Sequence, residues 1–497
     1  MLNDVLRRWP VSQSILAGFV LPLAFAPFNF WWLAPLVVAW STMLWTPLSS
    51  RDAFRAGFAF GFAAFLFGTY WIYNAVAVFG GAPLWLAIVL MLGLVLIMAL
   101  YYGLIALGIA RLRPTVPVWA APFAIASLWV LAEWCRGWIL SGFPWLSLGY
   151  SQLSSPFAGF APLVGVYGVS AAVVVVGVAL LAVPMRPRAT AAFATVTIVV
   201  VIVGGWLASL REWSEPSGER VRVALVQGAI TQDRKWLPES FEPTLRLYRD
   251  LTLRNTAADV VVWPEVALPA RRQNLGPYLA NLDVQLRRTN TALAYGIIDY
   301  DAAAERYYNA LVALGEGSGN YRKHHLVPFG EYFPVPPFIR EWMKMMSLPY
   351  ADMSAGPASQ APLILSGRPV AVSICYEDAF ATEQHHMFPD AEYIVNVTND
   401  AWFGETIAPY HHLDIARFRS LESGRAQLRV ANTGVTAIIG PDGALVAELG
   451  LFEQGVLDGS IEPRRGNTPY LVVGNWPIIV AAALLLAVLI ARRRTVS

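Results

Sequence analysis

Apolar and polar positions divide the chain unevenly. Through the first ~210 residues apolar side chains form nearly unbroken runs, from about Ser217 to Asn467 the pattern becomes that of a water-soluble domain, and one more apolar run follows. A hydrocarbon layer about 30 Å thick takes about 20 apolar residues per helix. On that measure the runs predict eight membrane spans, near 11–28, 31–47, 54–77, 84–110, 117–138, 160–184, 190–210 and 472–491. No A-x-A site closes the first run and another follows within a few residues, so it is expected to stay in the mature protein. The predicted organisation is a seven-helix transmembrane domain over 1–212, a soluble domain over 217–467 and a terminal transmembrane helix over 472–491.

Within the soluble region short β-branched runs alternate with helical patterns. Strands are predicted at 221–228, 258–265, 291–299, 309–315, 369–377 and 392–400, followed by a hairpin turning at Pro441-Asp442-Gly443. Amphipathic helices are predicted over 238–255, 277–289 and 411–428. The result is an α/β domain whose sheets are covered by helices, and in such folds reactive groups gather where strands end.

Composition sharpens the membrane reading. The chain is 56% hydrophobic and 14% charged with a mean hydropathy of +0.49, against about 25% charged residues in ordinary soluble domains. A formal net charge of +2, with no Lys/Arg-rich run in the polar domain, is too small to imply a nucleic-acid partner, and none is expected. Arginines cluster at Arg7 and Arg8, Arg51 and Arg55, Arg111 and Arg113, Arg186 and Arg188, and Arg492 to Arg494, on alternate connections between spans. The positive-inside rule makes all of these cytoplasmic together. The loops near 78–83 and 139–159 and the whole polar domain then lie on the other side, which in a bacterium is the periplasm.

Candidate chemistry starts with two cysteines. Cys135, in WVLAEWCRGW at the fifth span, reads as a small packing residue, and no bridge to Cys375 is expected. Cys375 ends a buried strand in AVSICYEDAF, beside two carboxylates. Glu265 follows a run of valines and Trp-Pro, so it leaves a buried strand at a fixed turn, where low dielectric is expected to raise its pKa towards that of a useful base. The segment YRKHHLVPFGEYFP carries Lys323, with Glu331 eight positions later. Taken singly, each has a plain structural reading as a strand-end or surface residue. The adjacent pairs His324–His325, His385–His386 and His411–His412 lack H-x-x-x-H or C-x-x-C spacing, so no metal site is expected. Gly80-Gly81 and Gly204-Gly205 lack the context of a phosphate loop and read as turns or close helix contacts. Glu133 and Arg136 are costly against lipid and are expected to turn inward or lie at the interface, where they could touch a head group.

Together, Glu265 in VVWPEVALP, Lys323 in YRKHHLVPFGE and Cys375 in SICYEDAF resemble the Glu-Lys-Cys set of the nitrilase superfamily, in order and approximate spacing across the soluble domain. NVTNDAWFG at 396–404 and ANTGVTAIIGPDG at 431–443 add to the resemblance. With eight spans attached, and GFPWLSLGYSQ at 142–152 in an outward loop, the resemblance narrows to the apolipoprotein N-acyltransferase family of Gram-negative inner membranes. It implies an αββα sandwich for the soluble domain, no cofactor or metal, and a monomer. It also implies transfer of an acyl chain from a phospholipid, preferably phosphatidylethanolamine, to the α-amine of an apolipoprotein's N-terminal diacylglyceryl-cysteine. The route would be ping-pong through a thioester on Cys375. Glu265 would serve as base, and Lys323 would favour the thiolate and, with the backbone N–H after Cys375, steady the oxyanion. Trp236 in QDRKWLPE, Glu331, Tyr376 and Glu377 match supporting or substrate-binding positions, and the Pro-, Met- and aromatic-rich run 331–356 is expected to act as a lid. Two other readings stay open. One is a membrane-tethered nitrilase-type amidase with water as acceptor, and the other is a transporter or scaffold with an inactive domain.

Overall fold

A computed structural model describes residues 9–332 and 353–496, in two compact units. The first takes in the chain up to Tyr73, Leu84–Glu212 and Pro469 onward, and the second takes in Asn74–Pro83 and Trp213–Thr468. Most of the expected lid, 333–352, lies outside the described residues, as do Arg7 and Arg8.

The first unit is helical: α1 (Pro10–Val20), α2 (Leu33–Trp45), α3 (Ser50–Gly68), α4 (Leu84–Leu112), α5 (Ala121–Arg136), α6 (Ala161–Ala182), α7 (Arg188–Ser209) and a last helix, Trp476–Val496. Four stretches, 84–112, 118–136, 156–182 and 188–209, have the length and apolar composition to cross a membrane. The stretches Pro10–Ala24, Leu33–Trp45 and Trp476–Arg492 are apolar but shorter. Hydropathy runs overstate helix length here for identifiable reasons. The first run leaves the α-helix at Val20 for a 3₁₀ turn, Leu21–Ala24. The third stops at Gly68, and Asn74–Phe79 forms a π-helical turn that belongs to the second unit, where Asn74 donates to the Phe403 carbonyl at 3.4 Å.

Close backbone approach holds α1, α3 and α4 together. A Cβ on Gly18 would lie 2.3 Å from the Phe60 carbonyl oxygen, and one on Gly57 would lie 2.4 Å from that of Tyr102. Small residues at such crossings replace the hydrophobic drive that lipid removes. Aromatic edges fill the neighbouring space, with Trp45 on Phe60 and Tyr102 on Trp129, each pair at 5.4 Å. The 142–152 loop folds into this unit, burying Trp145, Leu146 and Leu148. Glu133 and Arg136 turn inward to hold it: Glu133 accepts from the Leu148 N–H at 2.9 Å and from the Trp129 indole at 3.1 Å, while Arg136 donates to the Ser147 hydroxyl at 2.9 Å.

The second unit contains two large sheets and a small two-stranded one, Glu215–Pro216 with Arg464–Arg465. One runs β12 (Gly455–Ile461), β1 (Val221–Gln227), β2 (Val260–Val262), β3 (Ala292–Asp301), β4 (Arg306–Gly315), β5 (Asn320–Arg322), with β1, β2 and β3 parallel. The other runs β11 (Leu445–Leu449), β10 (Thr436–Ile439), β9 (Gln427–Ala431), β8 (Tyr393–Thr398), β7 (Arg368–Ile374), β6 (Leu363–Leu365) and a two-residue edge, Gly317–Ser318, with β7, β8 and β9 parallel. Helices α8 (Pro238–Arg254) and α9 (Gly276–Arg288) bury Leu245, Tyr248, Leu279 and Leu282 against Val261, Trp263 and Leu293 of the first sheet. Helix α10 (Ala408–Ser423) sets Leu413 and Ala416 against Ala437 and Ile439 of the second. Between the sheets, the Thr436 hydroxyl donates to Gln227, and Ile438 reaches Gly459 so closely that a Cβ there would lie 2.4 Å away. The layer order is helix, sheet, sheet, helix.

Two expectations need correction here. The helix predicted over 411–428 ends at Ser423, because Gly424 takes a left-handed φ of +63° and stops it, and the chain re-emerges as β9. Nor is α10 amphipathic, since His411, His412, Asp414, Arg419 and Glu422 are buried alongside its apolar residues.

Replacing Gly57 with Leu forces α3 and α4 apart. The thermal midpoint of the detergent-solubilised protein is expected to fall, with a loss of about 1–3 kcal/mol typical of overpacking, whereas Gly93→Leu, where a Cβ meets nothing within 4 Å, is expected to leave it unchanged.

Candidate active site

The parallel strands of each sheet deliver polar residues at their carboxyl ends. After β2 the chain passes through Trp263 and Pro264 to Glu265, still held to β3 by the Trp263 N–H on the Ala294 carbonyl (2.8 Å) and the Ala267 N–H on that of Gly296 (2.9 Å). Glu265 lies directly on Gly296, where a Cβ would sit 2.7 Å from the Glu265 Cα. Its carboxylate is buried, with Oε1 accepting from the Asn309 amide at 2.6 Å and lying 3.5 Å from Nζ of Lys323.

Lys323 follows β5 and stays beside β4 through its N–H on the Asn309 carbonyl (2.8 Å). Its side chain is only 1% exposed, and its ammonium meets Glu331 Oε2 at 2.8 Å. Burial alone would discharge it, yet Glu331, Glu265 and Cys375 together outweigh that and hold its pKa above the ordinary lysine range. Glu331 is fixed in turn by the Val327 N–H at 2.9 Å and the Asn309 amide at 3.0 Å. One asparagine therefore spaces both carboxylates around one ammonium.

Cys375 stands at the end of β7, on the other sheet. Its φ of +54° is left-handed, a conformation costing about 1–2 kcal/mol outside glycine, and it opens a 3₁₀ turn, Cys375–Ala379. Strain of this kind aims a side chain that a relaxed strand end would point elsewhere. Burial is the largest influence on the thiol and pushes its pKa up; Glu265 and Asp400 add to that, and Lys323 pulls the other way without prevailing. Burial thus outweighs the pull of Lys323 towards the thiolate.

Glu377 connects the two sheets. Its fully buried carboxylate accepts from the N–H groups of Ile374 (2.7 Å), His324 (2.7 Å) and His325 (3.1 Å) and from the Tyr321 hydroxyl (2.9 Å). Burial pushes its pKa up to about 7, while Lys323 and these backbone donors act to keep it ionised. The residues before Cys375 and after Lys323 are tied to one group. Tyr376 packs edge-on against Phe380 at 5.0 Å and His325 at 5.8 Å. Trp236 is 52% exposed, so it is not a core packing residue.

Four residues of the site escaped the sequence reading. Asn309 lies within β4, a polar residue beside a run of apolar ones, which is its one visible signal. Lys235 precedes Trp236; it is buried, donates to the Glu265 carbonyl at 3.3 Å, and burial lowers its pKa to about 8 against the pull of Glu265. Asp400 and His412 lie beside Cys375, although the His411–His412 pair had been set aside on spacing. Cys375, Asp400 and His412 offer ligand atoms within 4.8 Å of one another. Both His412 nitrogens are already engaged, however, by Asp400 (2.9 Å) and the Cys375 carbonyl (3.1 Å), and Arg429 meets Asp400 at 3.0 Å. A guanidinium already occupies the place a cation would take.

A thiol, a buried carboxylate and a buried ammonium come together beside the strand ends of a helix-flanked double sheet. Residues 222–470 match the carbon–nitrogen hydrolase family model, and residues 17–179 match that of the apolipoprotein N-acyltransferase N-terminal domain. The chain is 39% identical over 483 residues to the apolipoprotein N-acyltransferase of Methylococcus capsulatus, covering 97% of this chain and 96% of that one. It is 40% identical over 496 residues to the enzyme of the same name from Azotobacter vinelandii, covering 98% and 96%. Among solved structures, Saccharomyces cerevisiae Nit3, a member of branch 10 of the nitrilase superfamily, aligns at 17% identity and a TM-score of 0.39 over 50% of this chain and 93% of its own. The chain belongs to the apolipoprotein N-acyltransferase family.

Iodoacetamide alkylation of Cys375, followed by mass spectrometry, tests its resting state. An ordinary thiol with a pKa of about 8.5 approaches its plateau rate by pH 10; Cys375 is expected to be slow at pH 7–8 and still climbing at pH 10. Lys323→Met removes the one cation lowering that pKa and is expected to slow alkylation at pH 8 by about tenfold, the effect of one pKa unit. A plateau below pH 8 contradicts the assignment.

Proposed function

We propose that this protein moves an acyl chain from a phospholipid to the N-terminal amine of a diacylglyceryl-cysteine apolipoprotein, with Cys375 as nucleophile, Glu265 as base and Lys323 as the oxyanion's cation. The Lys323 ammonium, buried between Glu331 and Glu265 and acting on Cys375, is the observation that carries this reading. Near-full-length similarity to named apolipoprotein N-acyltransferases supports the choice of acceptor.

The steps balance as follows. Glu265 takes the thiol proton as Cys375 sulfur attacks the phospholipid ester carbonyl, and the oxyanion forms beside Lys323. The C–O bond breaks, the departing lysophospholipid alcohol takes the proton from Glu265, and a thioester remains. The α-amine then attacks that thioester, Glu265 accepts its proton, the C–S bond breaks, and the thiolate is reprotonated. Glu331 holds the ammonium in place, Glu377 holds the turn after the nucleophile, and Tyr376 and Trp236 line the approach. Catalysis depends on spacing as much as on identity.

The same reading places the chain in a bacterial inner membrane with eight spans, a catalytic domain over 217–467 in the periplasm, membrane domains over 1–212 and 472–491, and a monomeric state. Alternating arginine clusters support the orientation, and the four full-length apolar helices support insertion. Donor and acceptor that are both lipid-anchored would explain why a thiol enzyme carries so much apolar chain.

Purified protein incubated with acyl-labelled phosphatidylethanolamine and a diacylglyceryl-cysteine peptide is expected to carry label on Cys375 first and on the peptide amine second. Cys375→Ala is expected to abolish both signals. Release of free fatty acid without labelled peptide favours an amidase-like hydrolase instead. Trp236→Ala is expected to lose at least tenfold in transfer, about 1.4 kcal/mol of transition-state binding, while its thermal midpoint holds; an equal fall in both returns Trp236 to a structural role.

A further inference from the structure

Of the 36 basic residues in the chain only three are lysines, Lys235, Lys323 and Lys344, and the last lies outside the described residues. The other two are both buried beside Glu265. Lys323 reaches its carboxylate, whereas Lys235 reaches its backbone, with Nζ 3.3 Å from the Glu265 carbonyl oxygen. This second contact has no part in the mechanism above. Yet Lys235 is only 3% exposed, and an ammonium is expensive to bury unless something accepts from it.

The backbone that Lys235 meets is strained. Val266, the next residue after Glu265, takes a φ of +43°, and a β-branched side chain in the left-handed region is a steric outlier. Gly296 sets one edge of the connecting peptide: a Cβ there would lie 2.6 Å from the Val266 nitrogen and 2.3 Å from the Pro264 carbonyl oxygen. Because the Glu265 carbonyl and the Val266 N–H share one plane, the Lys235 ammonium holds the other edge. Lys235 itself ends a short helical turn, Gln232–Lys235, whose surroundings are anchored to the opposite sheet. The Asn399 amide donates to Gln232 Oε1 at 3.1 Å, and the Asn432 amide donates to the Ile230 carbonyl at 2.7 Å and to Asn399 Oδ1 at 3.0 Å. Asn399 and Asn432 directly follow β8 and β9, in the sheet whose strand β7 delivers Cys375.

We propose that the Lys235 ammonium is a positioning group that braces the strained turn of Glu265 against the sheet carrying Cys375, and so sets where the base meets the thiol. Without the brace the peptide after Glu265 relaxes the strain at Val266, and the Glu265 side chain turns with it. A compact ammonium suits a single carbonyl acceptor better than a forked guanidinium does. The ionisable group bearing on Lys235 from the facing chain is Glu265; Asp233 and Arg234, on its own turn, are exposed, and the anchoring Gln232, Asn399 and Asn432 are neutral. Burial is the larger influence and lowers the Lys235 pKa to about 8 against the pull of Glu265, so the cation is present below that pH and lost above it. The effect on phospholipid turnover rests on the function proposed above, whereas the brace itself does not.

Full-length protein in detergent tests the proposal with two acyl donors, acyl-labelled phosphatidylethanolamine and p-nitrophenyl butyrate, each timed in single turnover by mass spectrometry of acyl-Cys375. Lys235→Met, similar in length but uncharged, is expected to be about a hundredfold slower with both, the size of effect that a misplacement of about 1 Å produces. Alkylation of Cys375 by iodoacetamide at pH 10 needs the thiolate and not the base, so this variant is expected to alkylate at the unsubstituted rate. No fall in acylation, or an equal fall in acylation and alkylation, overturns the proposal. Lys235→Arg keeps its charge throughout. The ratio of its acylation rate to that of the unsubstituted protein is expected to rise about tenfold between pH 7 and pH 9, because one unit above a midpoint of about 8 leaves about a tenth of the cation. A ratio still constant at pH 11, above the ordinary lysine midpoint of about 10.4, overturns the brace. If Lys235→Met fails to fold, this ratio still decides the matter. Lys235→Met that is slow with the ester, in a protein that takes no acyl group from the phospholipid, supports the brace and overturns the functional reading instead.

Discussion

A single buried ammonium organises this active site. Lys323 is almost without solvent contact, and a cation in that position persists only because Glu331 and Glu265 stand 2.8 and 3.5 Å away. Removing one member of a buried pair costs about 3–5 kcal/mol, because the partner's charge is left stranded. The arrangement has three charges rather than two, with Asn309 donating to both carboxylates so that neither can swing onto the ammonium and displace the other. Glu265 is thus held at the longer distance. The geometry that stabilises the lysine is the same geometry that leaves Glu265 placed for the role of base proposed for it.

The nucleophile and its partners come from different sheets, which makes register between the sheets a chemical variable. Glu265 and Lys323 belong to the sheet built on β1–β5 and Cys375 to the one centred on β7–β9. Glu377 is the strut between them, since one carboxylate holds the N–H before Cys375 and the two N–H groups after Lys323. Its burial would be ruinous without those donors and is well supported with them. A slip of even an ångström between the sheets would break several hydrogen bonds to one group at once, so the two halves of the site move together or not at all.

How much of this was legible in the sequence depended on whether a residue's role was local. Glu265, Lys323, Cys375, Glu331 and Glu377 sit in runs whose composition changes abruptly, and the chain places all of them but Glu331 at or beside strand ends. Asn309, Lys235, Asp400 and His412 each act through a partner far along the chain, 44, 30, 29 and 37 residues away, and no period in the chain marks them. The fold divides the same way. Strands β1 to β4, β7 and β8 were readable, β2 through its run of valines, whereas the three-residue strands β5 and β6, near the sheet edges, were not. Strand β9 was hidden because Gly424 ends α10 inside what reads as one helix. Hydropathy found the four long apolar helices, but it counted residues that the chain spends on 3₁₀ and π-helical turns.

A thiol is the better starting point for transfer where burial disfavours a new charge. Creating a thiolate by losing a proton to water would add a negative charge to a space that already holds Glu265, Glu331 and Asp400, and burial makes that addition expensive. In the proposed transfer, passing the proton from Cys375 to Glu265 adds no charge: one negative charge disappears at the carboxylate and reappears at the sulfur, still within reach of Lys323. The total is constant at every stage, in attack, in collapse and when the amine arrives. Because the charge moves only between groups that the same ammonium already faces, the protein need not reorganise to follow it. The ammonium that makes the buried carboxylates tolerable thus also makes the nucleophile accessible without water.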